Sequence, residues 1–89
     1  MPKTTAATIH WDDSGMSTSY ANVCNVSSTR EEVTLLFGTN QTFNTEKGRV
    51  EIKLSDRLIL NPFAAKRLSM LLSNVIEQYE SKFGPLNLE

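Results

Sequence analysis

Cysteine and histidine are nearly absent from this sequence of 89 residues, which contains one of each, Cys24 and His10. A single cysteine excludes an internal disulfide and is typical of the reducing cytoplasm. His10 with Asp12 and Asp13 does not match the ligand spacing of a zinc or calcium site. No second histidine is available as the base that a cysteine nucleophile needs. We therefore expect no metal, no cofactor and no enzymatic activity, and we interpret Cys24 as a buried, inert strand residue.

An excess of positive charge and a long apolar run are also missing. The net charge of −1 and the pI of about 5.8 argue against a dedicated nucleic-acid-binding protein, whose surface is usually strongly basic. The longest uncharged stretch of helical character, residues 68–76, is far shorter than the roughly 20 apolar residues that span a bilayer. The N-terminus lacks the apolar segment of a secretion signal. The four glycines are scattered singly, so no phosphate-binding loop is indicated. We expect a cytoplasmic globular protein that binds no membrane.

Three segments have the composition and alternation of β-strands. They cover residues 20–26, 32–38 and 49–60, with a turn at 27–30 and a polar loop at 39–48. In the third segment the alternation predicts one apolar face, formed by Val50, Ile52, Leu54, Leu58 and Leu60. Asp56 falls on that face, which indicates a bulge or a twist there.

A long helix with clear start and stop signals follows the third strand. Asn61 is a preferred N-cap and Pro62 suits the first helical position. Gly84 is suited to the position after the helix, and Pro85 prevents its continuation. A periodicity of 100° per residue predicts an apolar stripe about 140° wide on this helix. Its members are Ala64, Ala65, Leu68, Leu71, Leu72, Val75, Ile76, Tyr79 and Phe83.

These elements predict an α+β fold, with a three- or four-stranded antiparallel sheet followed by one long C-terminal helix packed on one sheet face, in the order β-β-β-α. We assign residues 1–18 to a flexible N-terminal tail, 19–85 to a single domain and 86–89 to a C-terminal tail whose Leu88-Glu89 ending is typical of a cloning vector. So small a domain buries only about 60% of its unfolded surface. With no disulfide or metal to add stability, we expect it to form a homodimer.

Two segments of the sequence resemble the small prokaryotic family catalogued as domain of unknown function 3467. They are YANVCNVSSTREEVTLLFG and the later RLILNPFAAKRLSMLLSNVIEQYESKFG. The residues that match its pattern are Tyr20, Asn22, Phe37, Gly38, Arg57, Pro62, Ala65, Lys66, Arg67, Leu68, Tyr79, Glu80, Phe83 and Gly84. The resemblance covers residues 19–84 and leaves out the N-terminal tail. It implies a stand-alone bacterial or archaeal cytoplasmic protein, and it implies no activity.

The start of the helix is a candidate anion site. Lys66 and Arg67 lie near an end where free N–H groups and the helix dipole attract anions, and Arg57 and Lys53 would extend this basic patch. The competing interpretation is that Asn61 and Pro62 leave few free N–H groups, and that the cations pair with nearby acids such as Glu51 or Asp56.

The charges of the helix run against its dipole, with Lys66 near the start and Glu77 near the end. Together with Met70 and Ser73 these residues form a ridge, at spacings i, i+4, i+7 and i+11, on the side of the helix opposite the apolar stripe. Two antiparallel copies of this ridge would place Lys66 of one chain opposite Glu77 of the other, as a two-fold interface requires. A solvated face with one exposed methionine is the alternative.

Three functions follow from this sequence. The favoured one is a non-catalytic homodimeric interaction or assembly module that binds a protein partner. The alternative is a small protein that binds anions or nucleic acid through the basic patch at the helix start. An enzyme whose site forms only between chains has the least support.

Overall fold

The computed structural model describes residues 7–41 and 48–88. In this part of the chain three antiparallel strands precede one helix: β1 (Val23–Ser28), β2 (Val33–Asn40), β3 (Ile52–Leu60) and α1 (Pro62–Phe83). The sheet order is β1-β2-β3, which confirms the predicted α+β architecture in the order β-β-β-α. The first and third strands begin three residues later than predicted, and most of the predicted 39–48 loop lies outside the described residues.

A tight turn joins β1 to β2 at residues 29–32, two residues later than the predicted turn at 27–30, because Ser27 and Ser28 belong to β1. The backbone N–H of Thr29 donates to the carbonyl of Glu32 at 2.9 Å. The Thr29 hydroxyl oxygen accepts from the N–H groups of Glu31 and Glu32 at 3.2 and 3.3 Å. A short side chain that satisfies turn amides in this way stabilises the reversal of the chain.

A β-bulge interrupts the pairing of β2 with β3. Phe37 pairs with Asp56 and Gly38 pairs with Leu54, so Ser55 is an extra residue without a paired position on β2. The irregularity predicted from Asp56 is therefore confirmed as a bulge. The consequence of the bulge was not predicted. An extra residue in one strand reverses which side of the sheet the following side chains face.

The two ends of β3 consequently place their apolar side chains on opposite sides of the sheet. Directly paired residues share a side in an antiparallel sheet. The first side, which we name the Phe37 face, comprises Cys24, Val26, Ser28, Val33, Leu35, Phe37, Thr39, Lys53, Asp56, Leu58 and Leu60. The second, the Leu36 face, comprises Val23, Asn25, Ser27, Thr34, Leu36, Gly38, Asn40, Ile52, Leu54, Arg57 and Ile59. The prediction of one apolar face along β3 was wrong for this reason.

The helix begins and ends where its start and stop signals predict. The Asn61 side-chain oxygen accepts from the Ala64 N–H at 2.8 Å, and Pro62 occupies the first helical position. Gly84 has a φ of 97°, and its N–H donates to the Glu80 carbonyl at 2.9 Å. A positive φ is a conformation that glycine adopts without steric cost, so Gly84 ends the helix efficiently.

The helix does not pack on its own sheet, contrary to the prediction. No residue of α1 is buried, and its main contacts with the sheet are to β3, the strand that precedes it. Asn61 alone connects β3 to α1, with φ and ψ of −70° and 159°. Strand-to-helix loops usually have two to six residues, and one extended residue is too short to turn the helix back over the sheet.

The described part of the chain is elongated and has no hydrophobic core. The radius of gyration is 18.1 Å and the longest dimension is 68 Å, whereas a compact chain of this length has a radius of gyration of about 12 Å. None of the hydrophobic side chains in the described residues is buried. The accessible surface is 8872 Å², against about 5,200 Å² for a compact protein of this mass.

Candidate functional site

The apolar stripe of α1 is exposed from Leu71 to Phe83 and half-buried at Ala64, Ala65 and Leu68. Its central residues Leu71, Leu72 and Val75 are 62%, 53% and 59% exposed. At its C-terminal end the rings of Tyr79 and Phe83 lie 4.9 Å apart between centroids, which is a favourable aromatic contact. The stripe is therefore ordered along the helix and lacks a partner surface within the described residues.

The Phe37 face of the sheet is a second apolar surface. Val26, Leu35 and Leu58 form one row across the three strands, and the next row consists of Ser28, Val33 and Leu60. The β2 side chains in these rows are half-buried between their neighbours, while Val26 and Leu58 on the edge strands are exposed. Apart from Ser28, this face is contiguous and apolar at the end of the sheet where α1 begins.

A hollow of about 340 Å³ borders the Phe37 face at its other end. Phe37 and Leu58 form its apolar side, Ser17 and Ala21 belong to the segment before β1, and Asp56 lies at its wall. The Asp56 carboxylate accepts a hydrogen bond from the Ser55 hydroxyl at 2.8 Å. The hollow therefore continues the apolar face and has a polar border.

The residues proposed for an anion site are only partly brought together. Lys66, Arg67 and Met70 line one hollow of about 320 Å³ with Pro62 and Phe63. Arg57 lies on β3 and is not part of that hollow, and Ser73 and Glu77 lie further along the helix.

The N–H groups of the first helical turn are largely accounted for. Pro62 has no N–H, and the Ala64 N–H donates to Asn61. The expected pairing of the cations with Glu51 or Asp56 is not found: within residues 7–41 and 48–88, neither Lys66 nor Arg67 forms an ion pair. Glu51 pairs with Arg49 at 2.6 Å instead.

The ridge of Lys66, Met70, Ser73 and Glu77 lies exposed on the side of α1 opposite the stripe, and Met70 is 59% exposed. The position of the acidic residue Glu80 near the helix end is explained by a hydrogen bond within the chain. The Glu80 carboxylate accepts from the Leu86 N–H at 2.7 Å, which holds the chain that follows the helix. Lys82, in the last turn, agrees with the dipole and lies 5.5 Å from the Phe83 ring. The role of Lys66 and Glu77 stays a prediction.

The remaining candidate site residues lie in the N-terminal segment and at Cys24 on β1. The Asp12 carboxylate accepts from the Ser14 N–H at 3.0 Å, and this hydrogen bond lowers the pKa of Asp12 below its usual value. Trp11 is 84% exposed. Cys24 lies on a strand as expected but is exposed rather than buried. No group of three or more His, Cys, Asp or Glu side chains within the described ranges is arranged to hold a metal.

Sequence reasoning missed the structural role of Asn22. Its side-chain oxygen accepts from the Asn40 N–H at 2.9 Å, and its own N–H donates to the Gly38 carbonyl at 3.0 Å. These two bonds extend the contact between β1 and β2 by one residue before Val23, the first residue of β1. Asn22 belongs to the Tyr-x-Asn part of the family pattern, which was the available signal.

Comparison with known protein families supports the resemblance seen in the sequence. The family model described as "Protein of unknown function (DUF3467)" matches residues 1–88. The chain belongs to the DUF3467 family. The match includes residues 1–18, so the expectation that the N-terminal tail lies outside the DUF3467 pattern was wrong. No curated protein and no solved structure matches the chain. Within the described residues, the DUF3467 helix is too polar to be a membrane-spanning segment.

Proposed function

We propose that this DUF3467 protein is a non-catalytic interaction module that functions as a homodimer in a reducing compartment and presents a protein-binding surface. The observation that supports this most strongly is the absence of any buried hydrophobic side chain in the described residues. A stable monomer of this size needs a core. A second copy would provide one.

The size of the exposed surface supports association. The chain exposes about 3,600 Å² more than a compact protein of its mass, when 8872 Å² is compared with the usual scaling. This excess is total surface and includes residues 7–20, which are exposed throughout. Its apolar part on the α1 stripe and the sheet is what bears on association, since large exposed apolar patches mark interaction sites.

The use of polar side chains supports a non-catalytic role. Asn22, Asn61 and Glu80 each accept a hydrogen bond from a backbone N–H at a strand or helix end. These are structural tasks, and the single Cys24 agrees with a reducing compartment such as the cytoplasm.

The alternative function, an anion or nucleic-acid binder, has weaker support. Lys66 and Arg67 line one hollow. However, Pro62 has no N–H and the Ala64 N–H already donates to the Asn61 side chain, so few N–H groups of the first turn are available to an anion. Retention on heparin that falls steeply with salt would favour this alternative.

Sedimentation equilibrium of the full chain tests the proposal, together with Leu72→Ala in the stripe and Lys82→Ala outside it. We expect a dimer at micromolar concentration whose melting temperature rises with protein concentration, since unfolding releases two chains. Leu72→Ala should lower stability by about 2–5 kcal/mol, and Lys82→Ala should change it by less than about 0.5 kcal/mol. A monomer that unfolds cooperatively at all concentrations would contradict the proposal.

A further inference from the structure

We propose that two copies exchange their helices: the α1 stripe of one copy lies on the Phe37 face of the second, and the second copy's stripe lies on the first. This inference rests on the proposed function, because it presupposes a dimer. It names the occupant of both exposed surfaces, and that occupant is the same chain.

The connection between sheet and helix favours exchange over folding back. Asn61 alone separates Leu60 from Pro62, and its extended backbone directs α1 away from the sheet that precedes it. The helix therefore reaches a sheet face only in another copy, as in domain-swapped dimers with short connections.

The stripe is longer than the apolar part of the Phe37 face. From Ala64 to Phe83 the stripe extends about 28 Å at 1.5 Å per residue. On β2 the Phe37 face is apolar from Val33 to Phe37, about 13 Å at 3.3 Å per residue, and beyond the bulge it carries Thr39 and Lys53. About half of the stripe therefore covers the apolar part of the face, and the other half extends past it.

The distribution of polar residues selects the Phe37 face over the Leu36 face. At the end of the sheet next to α1, the Phe37 face has the row of Val26, Leu35 and Leu58 beside Val33 and Leu60, with Ser28 as the polar member of these two rows. At the same end of the Leu36 face, Leu36 lies between Asn25 and Arg57, and the next row is Ser27, Thr34 and Ile59. Beyond the bulge, Val23, Leu36, Ile52 and Leu54 line a hollow of about 290 Å³ on the Leu36 face, so the preference holds for the half of the sheet next to α1. Covering the Phe37 face with an apolar stripe costs less free energy, because fewer polar side chains lose their hydration there.

The area to be buried also favours exchange. Two chains expose about 17,700 Å², and a compact protein of twice the mass exposes about 8,700 Å². The difference of about 9,000 Å² includes the surface of residues 7–20, which are exposed throughout and belong to neither the stripe nor the Phe37 face, so it is an upper limit on what the exchange buries. Ordinary obligate interfaces bury roughly 2,000–5,000 Å². Contact along the narrow ridge of Lys66, Met70, Ser73 and Glu77 would leave both the stripe and the sheet exposed. Reciprocal exchange covers the stripe and the Phe37 face of both copies.

Isotope-filtered NOE spectroscopy on mixed dimers tests the exchange. Carbon-13-labelled and unlabelled full chains are mixed in denaturant and refolded, so that filtered signals arise only between chains. We expect interchain NOEs from the methyl groups of Leu72 and Val75 to those of Val26 and Leu35. Dimers whose helix–sheet NOEs occur only within one chain, reach only Leu36 and Ile59, or are replaced by helix–helix NOEs would overturn the exchange while leaving the homodimer intact. A monomer in sedimentation would overturn the proposed function as well.

Thiol reactivity gives a second readout, because Cys24 lies on the Phe37 face. The control is the double variant Cys24→Ser with Ser81→Cys, which places the single thiol on the side of α1 away from the stripe. In the native protein, Cys24 should react with a maleimide at least about tenfold more slowly than the control thiol. Both should react equally fast in denaturant. Equal native rates in a sedimenting dimer would contradict the covering of this face.

Discussion

Gly38 lies so close to β3 that a methyl group in place of its hydrogen would meet the Cα of Leu54 at 3.0 Å and overlap the Lys53 carbonyl. The obstacle is backbone at the bulge, which cannot move aside as a flexible side chain would. We expect Gly38→Ala to lower the free energy of unfolding by about 1–3 kcal/mol. Gly15→Ala is the control, since nothing lies within 4 Å of a Cβ there. Urea denaturation at fixed protein concentration compares them, and equal midpoints would contradict the close approach.

Asn22 should stabilise the end of the β1–β2 hairpin. Asn22→Ala removes the acceptor that the Asn40 N–H uses at 2.9 Å. The expected loss of stability is about 0.5–1.5 kcal/mol. Asn25→Ala is the matched control, because the Asn25 side chain forms no hydrogen bond within residues 7–41 and 48–88. Amide hydrogen exchange at Asn40 should accelerate in the first variant only, and unchanged exchange would show that the bond adds nothing.

Asn61 should determine where the helix begins. Asn61→Ala removes the acceptor of the Ala64 N–H, at a cost of about 0.5–2 kcal/mol, whereas Asn61→Asp keeps an oxygen in place. Asn74→Ala, in the middle of α1, should be neutral or slightly stabilising because alanine favours helix. Thermal unfolding followed by circular dichroism measures all three. If Asn61→Ala unfolds at the same temperature as Asn74→Ala, the cap is dispensable.

Lys66 and Glu77 should add modestly to self-association through the ridge opposite the stripe. Exposed ion pairs are worth about 0.2–1 kcal/mol each, so Lys66→Glu or Glu77→Lys should weaken association several-fold, and more at low salt. The double exchange should restore most of it, because the pair only changes sides. Sedimentation equilibrium of the four chains is the measurement. Identical association in all four would make the ridge a solvated face.

Local order in this protein follows from short-range sequence signals. Asn61, Pro62 and Gly84 predicted the bounds of α1, because caps act within one helical turn. The strands were predicted from alternation, and Asp56 correctly marked the bulge. For the candidate site, the same periodicity identified the α1 stripe. On β3 it placed Ile52 and Leu54 on the same side as Leu58 and Leu60, whereas the extra residue at Ser55 puts Ile52 and Leu54 on the Leu36 face.

The sequence by itself determined which segments become strands and helix, where the helix begins and ends, and which of its sides is apolar, because these depend on neighbours within a few residues. Only the tertiary structure decided where the apolar side lies. The single-residue connection at Asn61 keeps α1 off its own sheet, and a pattern of hydrophobic residues does not distinguish a partner surface in the same chain from one in a second copy. Burial drives both arrangements equally, and the length of the connection decides between them.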